Sequence, residues 1–256
     1  MLLTDTHTHL YLPAFNNDID KVIERAIDKG ITKMFLPNID KDSIKPIKNL
    51  VSKYPENCFP MIGLHPTSVE EKFENDLKLV EDELSSGEYY GIAETGIDLY
   101  WDKKFKNQQI IAFKKQIELA KEFNLPVIIH ARESFDEIFT AMQKYKNSGI
   151  RGIFHAFTGT IDQAEFIINE FGFKLGIGGI VTFKNSGLDK VVKEIKLNHI
   201  VLETDSPFLA PAPNRGRRNE SSYLIYVAEK IAEINKINPI KVAEITSQNA
   251  HEIFGI

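Results

Sequence analysis

Apolar residues in this chain follow two alternating patterns. Short unbroken runs, such as residues 31–36, are rich in β-branched and aromatic side chains and are typical of strands buried on both faces. Between the runs, apolar residues recur every three or four positions, as Ile44, Ile47 and Leu50 do, which is the pattern of an amphipathic helix. The runs predict strands at residues 1–10, 31–36, 59–64, 89–94, 127–130, 152–155, 173–177 and 199–203.

Polar residues mark where the intervening helices begin and end. Asn17 is placed to cap the first helix and Gly30 to end it, and Asn238, which precedes a proline, is placed to cap the last one. Ser134 and Thr160 each stand three residues before a Glu or Gln, so they predict capping boxes and helices that begin just after them. Further helices are predicted at residues 42–54, 75–84, 107–123 and 220–234.

The regular alternation of strands and helices decides the expected fold class. Strands that alternate with helices form parallel sheets, and about 250 residues is the usual length of one (β/α)8 barrel. We therefore expect the 256 residues to form one α/β domain, residues 1–256, folded as a TIM-type barrel that is open to distortion. A doubly wound open sheet is the alternative. The chain contains no change of composition that would indicate a linker.

Charge and cysteine content narrow the classes of function. The net charge of -5, from 36 acidic and 31 basic residues, argues against a broad basic surface that wraps duplex nucleic acid, although it allows a local basic pocket. Cys58 is the only cysteine, and the first residues have no basic segment followed by a long apolar one, so we expect a cytoplasmic protein. The sequence gives no indication of a membrane span or of an obligate protein partner.

The most informative short motif is His7-Thr8-His9. If residues 1–10 form a strand, side chains two positions apart project from the same face, so the two imidazoles converge on one point. Neutral imidazole is a ligand for Zn, Mn, Fe or Ni, which makes this pair a candidate metal site. Two histidines on a surface strand are the alternative.

The remaining ionisable candidates favour the metal site because they share one position in the predicted fold. Each lies at or just after the carboxyl end of a predicted strand, and in a barrel those ends surround one mouth where catalytic residues collect. Five of the seven histidines lie there, whereas His199 and His251 do not. The residues at the predicted mouth are His7, His9, His65, Glu94, His130, His155 and Asp205.

This set contains more ligands than one tetrahedral ion uses. Two ions about 3.5 to 4 Å apart would fit it better. Glu94 is the natural bridge because its strand lies between the two groups of ligands and a carboxylate has two oxygens to share. Two divalent ions would lower the pKa of a bound water, and Asp205 could then take or orient the proton. The residues alone therefore indicate metal-assisted hydrolysis.

Several longer segments resemble the TatD family of metal-dependent deoxyribonucleases, which belongs to the amidohydrolase superfamily. The resemblance covers the whole chain and is specific in order and spacing. Its segments are HTHL at 7–10, GLHP at 63–66, ETGID at 94–98, PVIIHAR at 126–132, HAFTG at 155–159, LETDSPFL at 202–209 and PNRGRRNE at 213–220.

The resemblance implies a distorted (β/α)8 barrel and two divalent ions, which we expect to be Mg, Mn or Zn. It implies that one ion is held by His7, His9, Glu94 and Asp205 and the other by Glu94, His130 and His155. It also implies a nuclease, in several relatives a 3′-to-5′ exonuclease, so single-stranded or frayed nucleic-acid ends are the expected substrate.

Other residues near the predicted mouth are candidates for substrate contacts. His65 is expected to contact a phosphate or support a ligand, or else to be a buried strand-end histidine. Arg132 is placed to bind an anionic group, with a surface salt bridge as the alternative. Arg215 belongs to a basic loop with Arg217 and Arg218, which is expected to add positive charge, or else to form a solvated turn or a contact at a helix start. Tyr100 and Trp101 are placed to stack a base, or else to pack within the loop.

Two functions of different classes remain open at this point. One is phosphodiester hydrolysis at a nucleic-acid end, and the other is hydrolysis of a C–N or ester bond in a small molecule, as in other amidohydrolases. Many binuclear amidohydrolases use a carboxylated lysine on strand four, whereas this chain has Glu94. The resemblance therefore favours the nuclease.

Overall fold

The computed structural model describes residues 1–101 and 103–256 as short parallel strands surrounded by helices. Among these residues, no helix is long and apolar enough to cross a membrane. The strands are β1 (Leu3–Asp5), β2 (Ile31–Pro37), β3 (Cys58–Met61), β4 (Ile92–Asp98), β5 (Val127–Arg132), β6 (Gly152–Phe154), β7 (Lys174–Ile177) and β8 (Ile200–Leu202). The helices are α1 (Ile19–Asp28), α2 (Lys41–Lys53), α3 (Phe73–Ser86), α4 (Lys106–Glu122), α5 (Phe135–Met142), α6 (Ile161–Phe171), α7 (Leu188–Glu194), α8 (Leu224–Asn235) and α9 (Pro239–Phe254).

The strands form two parallel sheets that join into a ring. One sheet has the order β1-β2-β3 and the other β4-β5-β6-β7-β8. A parallel bridge between Ile62 and Ile92 links the two sheets on one side. On the other side, the amide of Thr6 donates a 3.0 Å hydrogen bond to the carbonyl of Leu202. The predicted (β/α)8 barrel is confirmed, with its distortion at these two joins, and the open doubly wound sheet is wrong because the first and last strands meet.

The interior of the barrel is apolar below its mouth. Ile128 lies two residues before His130 and so shares its face of β5. It belongs to a buried cluster that includes Phe35 and Phe254, whose rings stack with centroids 3.7 Å apart. Because Phe254 ends α9, this helix packs against the side chains that lie beneath the histidines. A close-packed apolar core therefore lies directly beneath the histidines at the mouth.

Most predicted elements are present, and local capping explains where several begin. Thr160 and Gln163 form the predicted capping box, with the Thr160 hydroxyl accepting a 3.2 Å bond from the Gln163 amide. The side chain of Asn238 caps α9 as predicted, by accepting from the Ile240 amide at 2.9 Å. Gly30 follows the end of α1 with a φ of 85°, a conformation that favours glycine.

Several predicted boundaries and one predicted cap are wrong. Strand β1 ends at Asp5 rather than at residue 10, and β4 continues to Asp98, so that Glu94 lies inside β4 instead of at its end. Helix α1 follows Asp18 rather than Asn17. Ser134 does precede α5, but its hydroxyl donates to the Ile97 carbonyl at 2.5 Å and makes no cap.

Candidate metal centre

The carboxylate of Glu94 lies in the middle of the centre, and each of its oxygens faces a different pair of imidazoles. Oε2 is 3.2 Å from His7 Nε2 and 3.5 Å from His9 Nε2. Oε1 is 3.3 Å from His130 Nδ1 and 3.5 Å from His155 Nε2. Strand β4 therefore places one buried carboxylate between two imidazoles that follow β1 and two that lie on β5 and after β6.

The segment after β1 brings His7 and His9 together without being a strand. Their Nε2 atoms are 3.3 Å apart. The amide of Thr8 donates to the Phe35 carbonyl at 3.0 Å, and the amide of His9 donates to the Ser206 carbonyl at 2.8 Å. The two imidazoles converge as predicted, but the cause is this pair of bonds to two neighbouring chain segments and not a two-residue strand repeat.

Asp205 approaches the same two histidines from the segment after β8. Its Oδ1 is 3.3 Å from His9 Nε2 and 4.0 Å from His7 Nε2, and its amide donates to the His7 carbonyl at 2.9 Å. Burial raises the pKa of Asp205, but the neighbouring His9 and His155 lower it more, and the net pKa lies below its ordinary value. The carboxylate is therefore ionised at neutral pH.

His65, which follows β3, is the fifth histidine at the centre. Its Nε2 lies 3.4 Å from His130 Nδ1 and 3.7 Å from Glu94 Oε1. Its Nδ1 accepts a 3.1 Å hydrogen bond from the Thr67 amide, so the neutral ring carries its proton on Nε2. Burial lowers the pKa of His65 to about 3. His65 is thus a neutral hydrogen-bond donor at the edge of the centre.

Two carboxylates that the sequence analysis did not assign as site residues support the histidines on β5 and after β6. Asp98 Oδ2 lies 2.9 Å from His130 Nε2, which leaves the lone pair of Nδ1 directed at Glu94. Glu203 Oε1 lies 3.0 Å from His155 Nδ1, although the two are not aligned as a hydrogen bond. Asp98 was detectable, because residues 94, 96 and 98 of one strand share a face. No sequence pattern indicates that Glu203 reaches His155.

Tyr11 orients His9 and was also missed. The Tyr11 hydroxyl donates to the Pro37 carbonyl at 2.7 Å, and its oxygen lies 2.9 Å from His9 Nδ1. Since the single hydroxyl hydrogen is used on Pro37, the tyrosine oxygen accepts from Nδ1–H of His9. This tautomer leaves the lone pair of His9 Nε2 free towards Glu94 and Asp205.

The histidines and carboxylates of the centre are suited to hold a metal cation. Burial lowers the pKa of His155, but Glu203 and Glu94 raise it more, to about 10, so a cation at this position is favoured even without an ion. His7 stacks on His155 with ring centroids 3.4 Å apart, and within the described residues the buried Nδ1 of His7 has no hydrogen-bond partner. Three sets of side chains have the size and composition to hold a metal ion: His7, His9 and Glu94; His65, Glu94 and His130; His7, His155 and Glu203.

Three of the predicted arginines lie in three different settings. The guanidinium of Arg132 lies 4.0 Å over the ring of Tyr100. That of Arg215 lies 3.8 Å over Phe183, in a groove of about 740 Å³. Arg218 instead pairs with Asp18 through two bonds of 2.7 and 2.8 Å. This pairing with Asp18, at the start of α1, is the helix-start contact that the sequence left open, and it neutralises the charge that Arg218 would have added at the mouth.

Replacing Tyr11 by phenylalanine is expected to weaken metal binding about 10- to 100-fold, the usual effect of losing a partner that orients a histidine ligand. The ring of Tyr11 is retained, so the substitution removes only the hydroxyl, which accepts from His9 Nδ1–H and donates to the Pro37 carbonyl. Isothermal titration calorimetry, with Mn²⁺ added to the metal-free protein, measures the affinity for the metal. Tyr89→Phe is the matched control, since its hydroxyl bonds to Glu83 away from the centre. Equal affinities for the two variants would show that Tyr11 does not orient a ligand.

A parallel barrel with histidines and carboxylates gathered at the carboxyl ends of its strands defines a metal-dependent hydrolase. The family model described as TatD related DNase matches residues 4–255, and the chain therefore belongs to the TatD family. The predicted resemblance is confirmed.

Individual relatives agree with this assignment. The chain is 38% identical over 256 residues to the uncharacterized metal-dependent hydrolase YabD of Bacillus subtilis, covering 100% of both proteins. The crystal structure of YjjV, a TatD homologue from Escherichia coli, superposes with a TM-score of 0.92 at 25% identity, covering 99% of this chain and 98% of that one. A TatD family hydrolase from Entamoeba histolytica shares the fold, with a TM-score of 0.85 at 21% identity and coverage of 99% and 98%.

Proposed function

We propose that this protein is a divalent-metal-dependent deoxyribonuclease that removes nucleotides from the 3′ ends of single-stranded or frayed DNA. The observation that carries the proposal is the position of Glu94, whose two oxygens face two separate pairs of imidazoles. Centres that hold two ions a few ångströms apart are common in enzymes that cleave phosphodiesters. The description of the matching family as a DNase supports the same substrate class.

In this proposal Glu94 is shared between two divalent ions, which would be Mg, Mn or Zn. His7, His9 and Asp205 complete one set of ligands, and His130 and His155 complete the other. Bound there, the ions supply a water of lowered pKa and neutralise charge on the phosphodiester. Glu94 fixes the spacing of the two sets, since both of its oxygens belong to one planar carboxylate on β4.

Asp205 is the proposed proton acceptor. A general base must be unprotonated and within hydrogen-bond reach of the attacking water. The low pKa of Asp205 meets the first requirement, and its position 3.3 Å from His9 Nε2 places it beside one ligand set. The oxygen of the attacking water forms a bond to phosphorus and its proton passes to Asp205, while the bond from phosphorus to the leaving 3′ oxygen breaks and that oxygen takes a proton from solvent.

His65 is the proposed contact to a non-bridging phosphate oxygen. Its Nε2 carries the proton because Nδ1 already accepts from the Thr67 amide. A neutral imidazole N–H donates to a phosphate oxygen in the substrate without adding a fixed charge that would repel the ions. Arg132 and Arg215 are proposed to contact phosphates further from the reacting bond, as cations that pair well with phosphate.

The test is cleavage of labelled single-stranded DNA by metal-reconstituted protein, with free or blocked 3′ ends, beside closed circular DNA and a panel of amides and esters. We expect stepwise removal of nucleotides from free 3′ ends and little cutting of blocked strands or circles. Glu94→Gln protein purified in parallel controls for contaminating nuclease. Efficient cutting of circles would contradict the exonuclease, and amide or ester hydrolysis without DNA cleavage would replace the nuclease by a small-molecule hydrolase.

A further inference from the structure

Two large aromatic side chains are exposed directly after β4. Tyr100 is 51% exposed and Trp101, the only tryptophan of the chain, is 68% exposed. Their ring centroids are 4.9 Å apart and the ring planes are nearly perpendicular, at 87°. Neither ring is buried in the core, and the edge-to-face contact between the two rings within the loop leaves both of them largely exposed.

The backbone of these two residues is hydrogen-bonded to Asp98, which contacts the metal centre. The amides of Tyr100 and Trp101 donate to Asp98 Oδ1 at 3.0 and 3.3 Å. The other oxygen of Asp98 contacts His130 Nε2 at 2.9 Å. The backbone of Trp101 is therefore separated from His130, a candidate ligand, by only two hydrogen-bonded steps.

The charges around the rings complement a polyanion. The guanidinium of Arg132 lies 4.0 Å from the centre of the Tyr100 ring and 5.4 Å from that of Trp101. Lys103 follows on the same loop and is exposed. Because Arg132 already covers Tyr100, the indole of Trp101 is the ring that offers more free surface.

We propose that Trp101, with Arg132 beside it, is a stacking subsite for one nucleobase of the bound strand. This inference rests on the proposed function and names the part of the substrate that the loop contacts. Every nucleobase has an aromatic face, and exposed aromatic rings beside cationic side chains bind single strands with little regard for sequence. The subsite positions the strand end while His65 and Asp205 act at the phosphodiester.

Because Trp101 is the only tryptophan, its emission reports the subsite directly. The probe is a short phosphorothioate oligothymidine in MgCl₂, compared with an abasic strand of equal length and charge. We expect the thymidine strand to quench the emission and the abasic strand to bind about 5- to 100-fold more weakly without quenching. Equal binding of the two strands, or binding without quenching, overturns the subsite.

Variants separate this subsite from other apolar surface. Fluorescence anisotropy of a labelled strand should show the loss of base preference in Trp101→Ala and its retention in Trp101→Phe and in Ile111→Ala, a control at another exposed apolar residue. Phe208 is also exposed and lies 6.2 Å from the ring of His9. Loss of preference in Phe208→Ala but not in Trp101→Ala would overturn the proposal.

The cleavage assay distinguishes failure of the stacking subsite from failure of the proposed nuclease function. If the parent protein degrades DNA from free ends while Trp101→Ala retains the parent's KM and its preference for bases, the subsite is wrong and the nuclease stands. If the parent neither cleaves DNA nor shows quenching, both fail together. If Trp101→Ala raises KM for DNA with kcat little changed, both are supported, since stacking then contributes to binding and not to the chemical step.

Discussion

Replacing Asp205 by asparagine is expected to lower turnover about 10²- to 10⁴-fold, the usual effect of losing a general base. The amide keeps the shape of the side chain and the backbone bond from residue 205 to His7, so the fold should survive. The substitution removes the ability to accept a proton and the negative charge that Asp205 contributes to its proposed ligand set.

The measurement is kcat for DNA at saturating metal, with the metal content of each sample determined separately. Asp189→Asn, at an exposed carboxylate on α7, is the matched control and should retain full activity. If Asp205→Asn keeps activity within a few-fold of the parent at equal metal content, another group is the proton acceptor.

Glu94→Gln is expected to affect metal binding more than the loss of any single histidine. Both proposed ligand sets depend on its charge, whereas His7 and His155 each serve one. The ionised form of Glu94 is also strongly favoured over the protonated form. Burial raises the pKa of Glu94, but His7 and His155 lower it well below its ordinary value. An amide in its place leaves the imidazoles without their shared anion.

Metal analysis after saturation with Mn²⁺ and desalting tests this comparison. We expect about two ions per chain in the parent, about one in His7→Ala and in His155→Ala, and less than one in Glu94→Gln. Glu244→Gln, at an exposed ion pair on α9, is the charge-matched control. Loss of one ion in all three site variants would mean that Glu94 belongs to one set and does not bridge.

The sequence predicts best what depends on neighbours in the chain. The start of β2 after Gly30, the capping box at Thr160 and the cap at Asn238 each involve residues within four positions, and all three are present. The gathering of candidate ligands at one mouth was also predictable, because the barrel topology places every strand end there.

Contacts between distant residues explain what the sequence did not reveal. Arg218 pairs with Asp18 two hundred positions away, which no local pattern indicates. Asp5 ends β1 early because its buried carboxylate accepts from the Thr204 amide at 2.9 Å and from the Ser221 hydroxyl at 2.6 Å. The partner of Ser134 similarly lies on β4 rather than in its own helix.

The bonds that close the ring between β1 and β8 also determine when the centre can assemble. During synthesis His7 leaves the ribosome about two hundred residues before the carbonyl of Leu202 and the side chain of Asp205. Contacts of such long sequence separation form late, since their loop-closure entropy must first be offset by other packing. A nascent chain therefore carries His7, His9 and Glu94 without Asp205, and the centre is completed only after residue 205 has left the ribosome.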